Sequence, residues 1–278
     1  ENKKEDIDNS DNSDNSDNSD NSDNFDDSDN FDDSDNDDNK KKIEKKDKNK
    51  VVENTREEYD KILKEYYGYE KLKDLQYEII KNVIEKNDVV SLLPTSYGKS
   101  ICYQMPYLIT KKNVIVVSPL LSLMEDQTRE LNEKNISSIC LNSANKQKAK
   151  DIGDIYRGEA KIIYTTPEYL ANNPEFIEKL VFIKKLALVA IDECHCISSW
   201  GHSFRSDYHQ LSIIKDLAPE VPVLALTATA TGKVIDDVIK NLDLNEPKII
   251  KHSVDRPNLY MEINYNYIVD ISALSNCL

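Results

Sequence analysis

Short apolar runs alternate with longer amphipathic ones through most of the chain. The apolar runs are Val89–Leu93, Val114–Val117, Ser138–Leu141, Ile162–Thr165, Leu186–Ile191, Val223–Leu226 and Ile249–Lys251. Most are too short and too β-branched for helices, so they predict strands. Two helices are predicted ahead of the first strand. Thr55 to Tyr67 has acids early and Gly68 after its end, a start signal and a stop signal. Asp74 to Glu85 places Leu75, Ile79 and Val83 at four-residue spacing on one face. The alternation predicts an α/β fold, a doubly wound and mostly parallel sheet covered on both faces. In such sheets ligands bind beyond the carboxyl ends of the strands. The polar signatures cluster there: Thr95–Ser100 after the first strand, Ser118-Pro119 after the second, Thr166-Pro167 after the fourth. Asp192-Glu193 follows the fifth and Thr227-Ala228-Thr229 the sixth.

Composition changes this picture at the N-terminus. The chain has 278 residues and a net charge of −15. Residues 1–50 hold 19 acids and 9 bases, so −10 of that charge sits there and −5 in the remainder. From Asp8 the triplet Asp-Asn-Ser repeats, loosens near Phe25 and Phe31, and ends in a lysine-rich run from Lys40 to Lys50. With almost no apolar surface to bury, residues 1–53 are expected to be a disordered acidic tail. It reads as tolerated low-complexity sequence, with an interaction tail or DNA mimic as the other reading. A repeat of three polar residues excludes a solenoid. Residues 54–260 are expected to form one domain, and 261–278 an unassigned extension. No apolar run approaches a membrane span and no signal peptide opens the chain. Five cysteines at irregular spacing fit a reduced, intracellular protein, not a secreted one.

The candidate chemistry begins at Leu92-Leu93-Pro94-Thr95-Ser96-Tyr97-Gly98-Lys99-Ser100, between a strand and a helix. Such a loop points backbone N–H groups inward at a helix N-terminus, where phosphate is favoured. Thr95, Ser96, Tyr97 and Gly98 would cradle phosphates, Lys99 would reach the β/γ-phosphates and Ser100 would hold Mg²⁺. The pattern wants glycine where Leu93 stands, and the plain alternative is a turn with a surface lysine. Asp192 ends a buried strand and can hold Mg²⁺ through water. Glu193 can orient the attacking water, because phosphoryl transfer needs positioning and charge neutralisation. Its alternative is an acidic helix N-terminus. Trp200, His202, Phe204, Arg205 and Tyr208 lie within nine residues just beyond these acids. Aromatics and arginine can stack on unpaired bases at about 1–3 kcal/mol each, against the alternative of a hydrophobic plug. Cys194-His195-Cys196 cannot easily supply four tetrahedral ligands, so no zinc is expected. Ser118 and Thr166 are candidates for holding DNA phosphates, against plain turn chemistry.

Taken together these motifs resemble RecQ-family DNA helicases, from about Tyr66 to Tyr260. Asp192-Glu193-Cys194-His195 and the loop through His202 look like motif II and the aromatic loop of that family. Gly68-Tyr69 through Gln76 resembles its adenine-reading motif, Val117 through Gln127 motif Ia, and Thr166-Pro167-Glu168 motif Ib. Ala225 through Ala230 resembles motif III, and Asp255-Arg256-Pro257-Asn258 the exit from the first RecA-like domain. The resemblance implies a RecA-like P-loop NTPase domain of an ATP-dependent 3′–5′ DNA helicase. It implies ATP and Mg²⁺ as cofactors, with Gln76 and Lys73 at the base. Lys99, Ser100, Asp192 and Glu193 would act at the triphosphate, and His195 would link it to Thr227 and Thr229. The implied partners are single-stranded and 3′-tailed duplex DNA, in the nucleus or wherever DNA is replicated, and no membrane.

Three departures from the family stand out. Ser96 replaces a usual glycine at a position needing positive φ, at a cost of about 1 kcal/mol. Leu72-Lys73 replaces Phe-Arg, and lysine stacks on a base less well than arginine. Motifs IV to VI, an arginine finger and the zinc-binding cysteines find no match after Tyr260. The chain is therefore read as a truncated or split helicase that needs a second RecA-like domain in trans. Two other readings stay open: a non-catalytic nucleotide- and DNA-binding interaction module, and an RNA helicase of the DEAD-box kind, against which the Trp200–Tyr208 loop argues.

Overall fold

The computed structural model describes residues 55–145, 147–200, 205–253 and 262. The acidic tail 1–53, His202 and Phe204, the segment Asp255-Arg256-Pro257-Asn258 and residues 263–278 lie outside the described residues. The expectations for the tail, the domain exit and the C-terminal extension fall on those residues.

The elements follow the expected order. They are α1 (Arg56–Tyr67), α2 (Asp74–Ile84), β1 (Val89–Leu92), α3 (Lys99–Thr110), β2 (Asn113–Val117), α4 (Leu121–Glu133), β3 (Ser138–Leu141), α5 (Lys148–Arg157) and β4 (Ile162–Thr165). Then come α6 (Pro167–Ala171), α7 (Pro174–Phe182), β5 (Leu186–Ile191), two 3₁₀ segments (Cys194–Ile197 and Ser206–Ser212), α8 (Ile213–Leu217), β6 (Val223–Thr227), α9 (Gly232–Asn241) and β7 (Lys248–Lys251). Local chemistry sets the ends. The Thr55 backbone N–H donates to Glu58 Oε2 at 2.9 Å, and Gly68 closes α1 with φ of 74°. At the start of α3, Gly98 adopts φ of 96°, which a Cβ would oppose twice over: by strain, and by a 2.6 Å approach to Gln76 Nε2.

The strands form one parallel sheet in the order β3-β4-β2-β5-β6-β1-β7. Alternate residues of each strand enter opposite layers. Ile115, Val117, Val189 and Ile191 pack on one side with α7 and α9. Val114, Val116, Leu188 and Ala190 pack on the other with α2 and α3. Both faces are therefore buried, which explains why the strands read as apolar runs rather than alternations. At the far edge of the sheet Asp88 is buried, and it accepts from Lys215 Nζ at 3.1 Å and from the Val223 backbone N–H at 2.8 Å. This pair ties α8 and β6 to the start of β1. No helix among the described residues is long and apolar enough to cross a membrane.

The strand order matters for the site. β5, β6 and β1 are neighbours, although 94 residues separate Lys99 from Glu193 in the chain. The loops leaving their carboxyl ends must therefore meet.

Candidate functional site

After β1 the chain turns through Pro94–Ser100 into α3. Ser96 has φ of 67° and Gly98 φ of 96°. The predicted positive φ at Ser96 is thus present, and the two left-handed residues bend the loop around the N-terminus of α3. Free N–H groups there favour an anion. Lys99 leaves the first turn of α3 and reaches Glu193 Oε1 at 3.4 Å. Both side chains are mostly withdrawn from solvent, so the attraction is less screened than on a surface.

Asp192 and Glu193 follow β5. The Asp192 residue is 8% exposed. Burial holds its carboxyl above the ordinary value, Lys99 pulls it down and Glu193 pushes it up. A buried carboxylate with a second acid beside it and one shared lysine is short of positive charge. A divalent cation would fit that deficit, and Ser100 and Asp192 are the oxygen donors that could hold it. A carboxyl raised in the fold contributes stability below the ordinary carboxylate value and loses it as pH rises through the raised value. Asp192→Asn should therefore raise the Tm of the nucleotide-free chain near pH 7.5. The gain should shrink near pH 4. Thermal denaturation at the two pH values checks it, and a lower Tm near pH 7.5 contradicts it.

Glu193 adopts φ of 51° and swings its second oxygen toward His195, whose Nδ1 lies 3.2 Å away. The same Nδ1 is 2.9 Å from the Thr227 hydroxyl at the end of β6. That hydroxyl also accepts from the Thr229 backbone N–H at 3.2 Å. Lys99, Glu193, His195, Thr227 and Thr229 thus form one contact chain across three strand ends. Cys194 and Cys196 point into the core beside this chain.

Beside the phosphate loop lies a cavity of about 420 Å³, lined among others by Tyr69, Lys71, Lys73, Gln76, Tyr97 and Ile101. It has the size of a small-ligand site. Lys73 Nζ lies 4.5 Å from the Tyr97 ring centre and donates to the Tyr97 carbonyl at 2.8 Å. Gln76 is buried, with its amide nitrogen donating to the Tyr97 and Gly98 carbonyls and its oxygen accepting from the Lys73 N–H. Gln76 therefore braces the phosphate loop as well as bordering the cavity. Tyr97 lines this cavity, and its ring centre lies 4.9 Å from that of His252. A slightly larger cavity, about 450 Å³, opens among Ile84, Lys86, Lys112, Lys184 and Val221. It sits at the opposite, N-terminal ends of the strands, away from all of this chemistry.

Two expectations need correction. Tyr208 is fully buried and donates its hydroxyl to the Asp192 carbonyl at 3.1 Å. It cannot stack on a base and instead props the turn that carries the acids. Ser118 is only 2% exposed, and its N–H continues the ladder to the Thr165 carbonyl at 3.0 Å. Its hydroxyl is buried, with no hydrogen-bond partner among the described residues, so it does not reach a phosphate outside. Thr166 is half-buried and caps α6, accepting from the Tyr169 N–H at 3.2 Å. Trp200 is 69% exposed, and exposed Arg205 donates to the Pro119 carbonyl at 3.1 Å. Near them Leu120, Leu121 and Leu123 also face solvent. Sequence reasoning placed Tyr69 and Lys71 inside the adenine-reading segment without giving them a role, and missed Ile101 at the cavity.

Comparison with known proteins follows the same outline. The family profile of DEAD/DEAH box helicases matches residues 73–238. The chain is 40% identical over 227 residues to the bifunctional 3′-5′ exonuclease/ATP-dependent helicase WRN of Mus musculus, covering 77% of this chain and 16% of that protein. It is 36% identical over 208 residues to the ATP-dependent DNA helicase RecQ of Haemophilus influenzae, covering 74% and 33%. A protein of Acanthamoeba polyphaga mimivirus, whose name calls it an ATP-dependent RNA helicase, is 45% identical over 217 residues, covering 78% and 40%. The chain thus spans less than half the length of each of these relatives. Among solved structures, the DUF1998 helicase MrfA superimposes with a TM-score of 0.54 at 22% identity, covering 72% of this chain and 32% of that one. That likeness concerns the fold.

Proposed function

The chain belongs to the DEAD/DEAH box helicase family, and on that premise we propose that it is the nucleotide-binding lobe of a RecQ-type, ATP-dependent 3′–5′ DNA helicase. The observation that carries this reading is the convergence of Lys99, Glu193, His195 and Thr227 at adjacent strand ends. Lys99 would leave Glu193 for the β/γ-phosphates of ATP. Ser100 and Asp192 would hold Mg²⁺, which supplies charge neutralisation at the triphosphate. Released from Lys99, Glu193 would orient the attacking water, with His195 beside it to fix its rotamer. Gln76, Lys73 and Tyr97 would border the base, and Ser96 would weaken binding relative to a glycine loop.

Single-stranded and 3′-tailed duplex DNA are the proposed partners, met by Trp200, Arg205 and Thr166. A second RecA-like domain would complete the hydrolytic site, because an arginine finger can be worth 10³–10⁵ in turnover. The proposed setting is intracellular, wherever DNA is replicated. The test is Mg²⁺-dependent binding of a fluorescent ATP analogue, followed by ATP hydrolysis with and without nucleic acid. We expect weak nucleotide binding, little hydrolysis by this chain alone, and more stimulation by single-stranded DNA than by RNA. A stronger RNA response would favour the RNA-helicase reading that the name of the mimivirus relative carries. Mg²⁺-independent binding would contradict the site assignment.

A further inference from the structure

Gln76 has a fixed number of hydrogen bonds to give, and the phosphate loop takes most of them. A glutamine amide offers two N–H donors and one carbonyl oxygen with two lone pairs. The Gln76 nitrogen donates to the Tyr97 carbonyl at 3.2 Å and to the Gly98 carbonyl at 3.1 Å. Its oxygen accepts from the Lys73 backbone N–H at 3.0 Å. The reverse orientation would set oxygen against two carbonyls and N–H against N–H, so the partners fix which end is which. Gly98 permits the fit, since a Cβ there would come within 2.6 Å of the amide nitrogen. Reading the N6 and N7 edge of adenine takes a donor and an acceptor from one side chain. Gln76 keeps no donor for it, on a residue only 3% exposed.

Lys73 is committed as well. Its Nζ donates to the same Tyr97 carbonyl at 2.8 Å and lies 4.5 Å from the Tyr97 ring centre. It closes on the loop, and it has no planar group to lay on a base. Of the other side chains at the cavity, Glu70 is paired with Lys64 at 2.9 Å. Lys71 is exposed, and an ammonium on a flexible stem can meet an acceptor on the edge of any base. Tyr69 is 60% exposed and, with Tyr97, offers a ring; every base has a face to stack on one. The cavity thus presents a base with two aromatic rings and one mobile cation, none of which distinguishes adenine.

We infer that this site takes nucleoside triphosphates with little regard to the base, and that Gln76 is a positioning residue for the phosphate loop rather than a reader of adenine. The inference rests on the proposed nucleotide site and names its substrate class. Affinity comes from the triphosphate, and Gln76 acts on it through the backbone. A trans peptide is planar, with its carbonyl and its N–H pointing opposite ways, and the described residues hold no cis bond. Pinning the carbonyls of Tyr97 and Gly98 therefore also aims the N–H groups of Gly98 and Lys99 away from Gln76.

The experiment titrates ATP, GTP, CTP and UTP, each carrying a fluorophore on the ribose so that the base is free, into the full chain with Mg²⁺. Inorganic tripolyphosphate, which has no base, is measured by competition. The wild-type chain should bind the four nucleotides within about fivefold of one another. A two-bond contact to one base would separate them by about 5- to 150-fold, the equivalent of two neutral hydrogen bonds. Gln76→Ala should weaken all four nucleotides and tripolyphosphate by one common factor of about threefold or more. Gln76→Glu, which keeps the volume and loses both donors, should do the same, and it serves in place of the alanine variant if that one does not fold. An ATP preference above about fivefold, or a folded Gln76 variant that binds tripolyphosphate as wild type does, would overturn the inference and leave the nucleotide site standing. Failure of the wild-type chain to bind any of the five would overturn the site itself, and the inference with it.

Discussion

Replacing Lys99 by alanine is expected to weaken Mg²⁺–ATP binding about 10- to 150-fold, the equivalent of one charge-assisted hydrogen bond at about 1.5–3 kcal/mol. The site magnifies the loss. Lys99 is the cation that pulls the Asp192 carboxyl down, while Glu193 pushes it up. Without Lys99 the two acids face each other with no shared counter-charge. Arginine should not rescue, because a planar fork cannot take the place of a compact ammonium between a carboxylate and a triphosphate. Titration of a fluorescent ATP analogue into wild type, Lys99→Ala and Lys99→Arg tests this. An unchanged Kd would remove Lys99 from the triphosphate.

Tyr208→Ala is expected to destabilise the domain by about 3–5 kcal/mol, the usual cost of truncating a buried aromatic. Tyr208→Phe should cost about 1 kcal/mol, for the bond to the Asp192 carbonyl. Trp200→Ala should behave in the opposite way. Its ring is 69% exposed, so stability should stay within about 0.5 kcal/mol while affinity for single-stranded DNA falls by about 1–3 kcal/mol. Chemical denaturation and DNA titration of the three variants separate the two aromatics. A stable Tyr208→Ala that loses DNA affinity would restore Tyr208 to the nucleic-acid surface.

These two predictions mark where the sequence was legible. The strands were readable because each is buried on both faces and therefore written in β-branched runs. Lys99, Ser100, Asp192 and Glu193 were readable because a parallel sheet delivers strand ends to one rim, so polar residues there are not scattered. The aromatic loop was only half readable. Trp200 and Tyr208 look alike in a list of residues, but Tyr208 lies in the 3₁₀ segment Ser206–Ser212, which turns it under the acids. No helical or strand period announces that turn. Ser118 was misread because β2 pairs with β4 one residue past its last strand position. The bracing role of Gln76 joins segments brought together only by the fold.

The account turns on one exchange: Lys99 gives up Glu193 for a phosphate. A crystal structure of the chain with Mg²⁺ and a non-hydrolysable ATP analogue measures it directly. The account predicts the triphosphate seated on the backbone from Ser96 to Ser100, with Lys99 Nζ within hydrogen-bond distance of it and withdrawn from the 3.4 Å contact with Glu193. A saturated crystal in which Lys99 still holds Glu193, with nucleotide bound elsewhere or not at all, would contradict it.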